Sequence, residues 1–291
     1  MRTRITRTVA LLLVPLALAM AGCGSEHGSR ARIGDSESRA QKVADAWDGS
    51  RAAEVWREGY YPMADVVQLP DNAFRNEADK MAYGNHSFVL DGELPTTSPE
   101  TGKVEWRSGG SLTLPLMGAQ EAYDTIAPGG HKGPHLTVTK VELGRTTLVT
   151  SRGPATVPAW LFTLKGYDTP LKRVALAPSE LPKSPIGPAR ETPTDWLMPL
   201  EQFVRTGADG RSVTVLAGHG ACDDGPVVRA LETAGSVVLS AAITGANDGS
   251  CTSQLLMEKV TVKLDRELGD RVLLDAFTGA PVTFGHRTEH G

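Results

Sequence analysis

The 291-residue chain is poor in several things at once, and each scarcity removes a class of protein. Aromatic residues make up 5% and there are three cysteines. Three thiols cannot build a disulfide-dense miniprotein or a four-thiolate zinc site. No run of Lys and Arg occurs and the formal charge is −4. The clustered cations that neutralise phosphates are therefore missing, and no nucleic-acid partner is expected. Electrostatic adhesion to anionic lipid is disfavoured for the same reason. Apolar runs of roughly 20 residues, the length that spans a bilayer, are absent as well.

Reaction signatures are equally scarce. A Gly-x-Ser-x-Gly elbow does not occur, and "SELPK" (179–183) has one residue too many for Ser-x-x-Lys. "GHGACDDG" starts as Gly218-x-Gly220 but carries Asp223 where a phosphate loop needs its third glycine. His131 and His135 stand four apart in "HKGPH", yet Gly133 and Pro134 forbid the helix that would align them. They are expected to be exposed loop histidines. His219, Asp223 and Asp224 flank Cys222 in what reads as a solvated turn, and His286 and His290 fall in a frayed C-terminal tail. No catalytic residue, cofactor or metal ligand is assigned, and whether the chain is an enzyme stays open with a non-catalytic role preferred.

What is present begins at the N-terminus. Arg2, Arg4 and Arg7 form a basic head, followed by thirteen apolar residues from Val9 to Ala21. That layout is an export signal, too short to span. The arginines are never adjacent, so the twin-arginine route is not indicated. The run stops at Ala21-Gly22-Cys23 and turns polar at once. This junction resembles the lipobox of bacterial lipoproteins, with Met20 where that family usually has leucine. The resemblance implies a diacylglyceryl group on the Cys23 thiol and cleavage just before it. The alternative is an ordinary secretory signal. Two acyl chains hold a protein stably at a membrane where one does not. Residues 1–22 are thus read as a signal peptide, which leaves 269 residues and, without the three arginines, a formal charge of −7. The location expected is the extracytoplasmic face of the cell membrane.

Residues 23–37, the lipidated cysteine and "GSEHGSRARIGDSE", are small and polar. They are expected to form a flexible tether with a reach of roughly 20 Å. The folded body is expected from Ser38. "SRAQKVADAWDGSRAAEVWREGYY" is rich in helix formers, with Val43 and Trp47 on one face. The stripe loses phase after Gly49, so Trp56 belongs to a kinked or second helix ended by Pro62. "NEADKMAY" and "AQEAYDTI" predict short helices, "HSFVLDGELP" a strand, and "GKVEWRSGGSLTLPL" a hairpin turning at Gly109-Gly110. "HLTVTKVEL" and "TTLVTS" suggest a hairpin turning at Gly144-Arg145, and "ATVPAWLFTLKG" with "LKRVALAP" a second. Residues 177–195 hold Pro178, Pro182, Pro185, Pro188 and Pro193. They cannot be interior sheet and form either a linker or a strap. Five β-type runs follow between residues 211 and 277.

The expected fold is α+β: an N-terminal helical segment, then predominantly antiparallel sheet, with a small disulfide-stapled C-terminal β unit. Residues 38–176 are read as an α+β domain and 196–291 as a small β-rich domain with a frayed tail. The staple follows from arithmetic. Lipidation consumes Cys23 and leaves Cys222 and Cys251, an even pair in an exported chain, each in a turn beside a strand end.

"WDGSRAAEVWREGYYPM", "VPAWLFTLKGYDTPLKRVAL" and "LGDRVLLDAFTGAPV" resemble stretches in lipoproteins of filamentous actinomycetes, the Streptomyces type. The resemblance covers most of the mature chain. It implies lipidation at Cys23 and an envelope location, and no activity. Three functions are compatible with the sequence. The first is a lipid-anchored cell-envelope lipoprotein that binds an envelope protein or wall component. The second is an extracellular hydrolase, which would need a pocket holding His with a carboxylate or paired carboxylates. The third, a solute-binding lipoprotein, would need two lobes of alternating strand and helix. Strands here come in runs, so the first reading is preferred.

Overall fold

Helix α1 (Glu26–Trp47) opens the described part of the computed structural model, which comprises residues 26–129, 133–189, 196–245 and 251–285. Its last three turns place Ala40, Val43, Ala44 and Trp47 on one stripe, all buried. Gly49, at φ +73°, breaks the helix. Ser50 then caps α2 (Arg51–Glu58), its Oγ accepting from the Ala53 N–H at 3.2 Å. The break explains the loss of phase in the apolar stripe. Trp56 on α2 stacks on Tyr61 with ring centroids 4.3 Å apart. The segment expected to be a flexible tether is helical from Glu26 onward. Cys23 lies outside the described residues.

The first sheet is assembled from β1 (Val67–Gln68), β2 (Phe88–Leu90), β3 (Thr101–Trp106), β4 (Ser111–Pro115), β5 (Leu136–Thr150), β6 (Gly153–Leu164) and β7 (Leu171–Val174). Strand order runs β1-β7-β6-β3-β4, with β5 along the other edge of β6 and β2 parallel beside β5. Helices α3 (Glu77–Gly84) and α4 (Ala119–Ile126) cover Trp160, Phe162 and Leu171. The β3–β4 hairpin turns at Gly109 and Gly110, both at positive φ, as expected.

The turn expected at Gly144-Arg145 does not exist. β5 runs straight through it, Gly144 pairing with Ala159 and Arg145 with Pro158. A Cβ at Gly144 would stand 2.5 Å from Leu161 Cδ1, so this glycine makes room for a cross-strand side chain rather than reversing the chain. The reversal comes at Ser151-Arg152, where Thr150 pairs with Gly153, itself at φ +88°.

The second half is a sandwich. Strands β8 (Leu200–Thr206), β9 (Ser212–Gly220) and β12 (Leu255–Lys263) form one sheet in the order β12-β9-β8. β10 (Gly225–Glu232), β11 (Ser236–Thr244) and β13 (Val272–Asp275) form the other. Pairing is antiparallel except between β11 and β13. Phe203, Val213, Val215 and Ala217 meet Val237, Leu239 and Ala241 between the sheets.

β11 reads "SVVLSAAIT" and is buried over its first six residues without alternation. That pattern requires cover on both faces. α1 supplies the second cover: Val43, Ala44 and Trp47 pack against Val238, Val272 and Leu274, and Trp47 Nε1 donates to Gly279 O at 2.7 Å. The first helix, grouped by sequence with the α+β domain over 38–176, thus packs on the last sheet. Periodicity shows that a helix has an apolar face, not which distant segment fills it.

Residues 177–189 contain no helix or strand and act as a strap. Ser179 N–H donates to Tyr60 O at 2.9 Å, Arg39 to Gly187 O at 2.6 Å and Ala189 N–H to Phe277 O at 2.8 Å. The segment is thereby tied to the end of α2, to α1 and to the turn after β13.

Candidate functional site

Cys222 and Cys251 are disulfide-bonded, with Cα atoms 6.0 Å apart. Their positions explain what the bond does. Cys222 sits in the β9–β10 turn, where the chain passes from one sheet of the sandwich to the other, and Cys251 lies just ahead of β12. The bridge therefore closes one end of the sandwich beside the start of β12. In the same turn Asp223 Oδ2 accepts from the Gly220 N–H at 2.7 Å, and Asp224 is exposed. This is turn chemistry, with the carboxylate satisfying a backbone donor.

His219 is next to the bridge. Its Nδ1 is 2.9 Å from Gly220 O and must be the donor, because a carbonyl only accepts. Nε2 then faces Glu258 Oε2 at 3.8 Å. A hydrolytic dyad would have the carboxylate receive the Nδ1 proton and leave Nε2 for a nucleophile. Here the backbone takes Nδ1, and among the described residues no hydroxyl or thiol is hydrogen-bonded to the ring. His135 is exposed in a loop; His131, His286 and His290 lie outside the described residues. No group of three or more His, Cys, Asp or Glu side chains able to hold a metal occurs among the described residues.

Buried ionisable groups serve the fold. Arg271 pairs with Glu232 at 2.8 Å and donates to the Arg266 and Glu267 carbonyls. Asp275 is 3% exposed, and burial pushes its carboxyl up to about 6, against the N–H groups of Phe277, Thr278 and Leu200. It shapes the turn after β13. A depression of about 210 Å³ lies by Glu105, Trp106 and Thr156, and one of about 460 Å³ is lined by Ala64, Asp65, Gln202, Val204, Lys259, Phe284 and Gly285. Neither brings a His together with a carboxylate.

The unusual surface is β12 itself. Leu255, Leu256 and Met257 are 59%, 36% and 46% exposed, although they are consecutive apolar residues in a strand. Val227 on β10 is 41% exposed. β12 is the end strand of its sheet, paired to β9 in unbroken register over nine residues. Protein edges are normally blunted by bulges, proline, charge or cover. The opposite edge of the same sheet follows that rule: β8 has two register shifts, and Phe203 N–H donates to Thr283 O. β12 has no bulge and no proline, and its charges, Glu258, Lys259 and Lys263, begin only after Met257.

No protein-family model, curated protein or solved structure matches this chain. The site therefore rests on its own geometry. Sequence reading places a β run at "QLLMEKVTVKL" without identifying it as an edge. The signal available was three apolar residues in succession, which fits a strand covered on both faces or one left uncovered.

Proposed function

We propose that this protein is a lipid-anchored component of the extracytoplasmic membrane face whose folded body binds a protein partner through β12. The observation that carries the binding role is the open apolar edge at Leu255–Met257, braced by the adjacent disulfide. The anchor reading is supported by the Ala21-Gly22-Cys23 junction and by the Cys222–Cys251 bond, which suits an oxidising compartment. Only Gly24 and Ser25 separate Cys23 from α1, a chain reach of about 10 Å. Because the last turns of α1 pack on β11, the first part of the helix would link lipid to sandwich as a rod of about 20 Å instead of a flexible tether.

A Cys23→Ser variant tests the anchor. The native chain should incorporate labelled fatty acid, sediment with membranes and be degraded by protease added to intact cells. The variant should lose label and membrane attachment together. Persistent labelling or sedimentation of the variant contradicts the proposal.

A further inference from the structure

The geometry points to a second copy of this chain as the occupant of β12, paired antiparallel about a two-fold axis at Leu256. The inference deepens the binding role proposed for this strand and rests on that reading, but not on the lipid. Two backbone bonds fix which groups the edge offers. Ala221 N–H donates to Gln254 O at 3.2 Å, and Leu264 N–H donates to Arg211 O at 2.8 Å. Even-numbered residues therefore turn their backbone toward β9. Leu255, Met257, Lys259 and Thr261 turn N–H and C=O outward, where no hydrogen-bond partner meets them among the described residues.

Charge selects the register. A two-fold axis perpendicular to a sheet brings one residue opposite its own copy, so each centre can be tried in turn. Centring on Glu258 or Lys259 opposes like charges across the pair, which destabilises. Centring on Met257 sets Leu255 against Lys259 and Leu256 against Glu258. Centring on Leu255 sets Leu256 against Gln254 and Met257 against Ser253. Centring on Leu256 sets all three exposed apolar residues against apolar partners, with Leu256 facing its copy and Leu255 facing Met257 on both sides of the axis. In that register Glu258 meets Gln254 and Lys259 meets Ser253, so neither faces a like charge. Leu255 and Met257 are also the residues with outward backbone, so they form hydrogen-bonded pairs, and Leu256 forms the close non-hydrogen-bonded pair. The two three-stranded sheets would become one of six strands, β8-β9-β12-β12-β9-β8. A single strand pair is a small interface, so association should be reversible and concentration-dependent.

The test uses the full-length chain in detergent. Sedimentation should show mass doubling with rising concentration. Met257→Pro removes an outward N–H and leaves the β9 ladder intact, so the monomer should keep its fold by circular dichroism while dimerisation weakens by at least about tenfold. Register is read by cross-linking. Leu256→Cys should form a covalent dimer under mild oxidant well above the parent chain, because non-hydrogen-bonded partners have Cα atoms about 4.5 Å apart. Glu258→Cys should not, since its copies would lie four residues out of register. A chain that stays monomeric up to its solubility limit, a folded Met257→Pro that dimerises like the parent, or cross-linking at 258 equal to that at 256 overturns the inference. Each result is read whether or not Cys23 carries lipid, so failure of the pairing is distinct from failure of the anchor.

Discussion

Removing the Cys222–Cys251 bridge should destabilise the sandwich by an amount its placement sets. The two cysteines are 29 positions apart and enclose β10 and β11. In the chain-entropy treatment a loop of that size is worth about 3 to 4 kcal/mol. The bond joins turns already brought together by two sheets packed on a common core, so the native state loses little order without it. Most of the effect should therefore be on the unfolded chain. The clean perturbation is the double variant Cys222→Ser/Cys251→Ser, which leaves no stray thiol. Urea unfolding, followed by Trp fluorescence and circular dichroism, should show a lower midpoint. The melting temperature should fall by about 6 to 16 °C, taking 2 to 4 °C per kcal/mol for a body of this size. The native chain in reductant should approach the same values. A loss under about 1 kcal/mol would refute the reasoning, because the bond would then be closing a loop that the unfolded chain already keeps closed. Native-state hydrogen exchange would add a location: protection should fall first near Gly220 and Leu256, beside the bridge.

Three further outcomes follow from the packing. Trp47→Ala empties a fully buried site and removes one of two donors to the Gly279 carbonyl, Ser184 Oγ being the other, so unfolding free energy should drop by about 3 to 5 kcal/mol by urea titration, chiefly from the cavity; a loss below about 1.5 kcal/mol would place α1 elsewhere. Gly144→Ala should cost about 1 to 3 kcal/mol by overpacking Leu161, and Leu161→Ala in the same chain should recover part of it; a free turn at Gly144 would show no such coupling. Burial raises Asp275 to about 6 from an unfolded value near 3.9, so its contribution is full below pH 4 and lost as pH rises through 6. The urea midpoint should rise from pH 7 to pH 5, and a fall over that range would contradict the assignment. Glu232 does not offset this: burial opposes its ionisation, but the Asp265 N–H and Arg271 hold its carboxyl below the ordinary range, so its contribution is lost only at lower pH.

Local signals were legible in the sequence and non-local ones were not. The break in helix phase after Gly49, the Gly109-Gly110 turn, the helices at 77–84 and 119–126 and the five late strands each depend on neighbours within a few residues. The Cys222–Cys251 pair was legible because an even count and two matching turns left one solution. Gly144 misled because a glycine required by Leu161 on the next strand is indistinguishable in sequence from one required by a turn. β8, with Pro199 before it and Glu201 and Gln202 within it, lacks the apolar density of β9 and was passed over. The seat of α1 on β11 depends on residues nearly two hundred positions apart. The β12 edge is a property of sheet order, which no stretch of residues encodes alone.

Intact-mass and N-terminal peptide measurement on the membrane-extracted protein tests the anchor on which the proposed location rests. The chain should begin at Cys23, with residues 1–22 gone, and Cys23 should carry the mass of a diacylglyceryl group with or without a further acyl chain. Cys222 and Cys251 should appear together as one disulfide-linked peptide. A chain beginning elsewhere, or Cys23 present as an unmodified thiol in membrane-bound protein, would contradict the account.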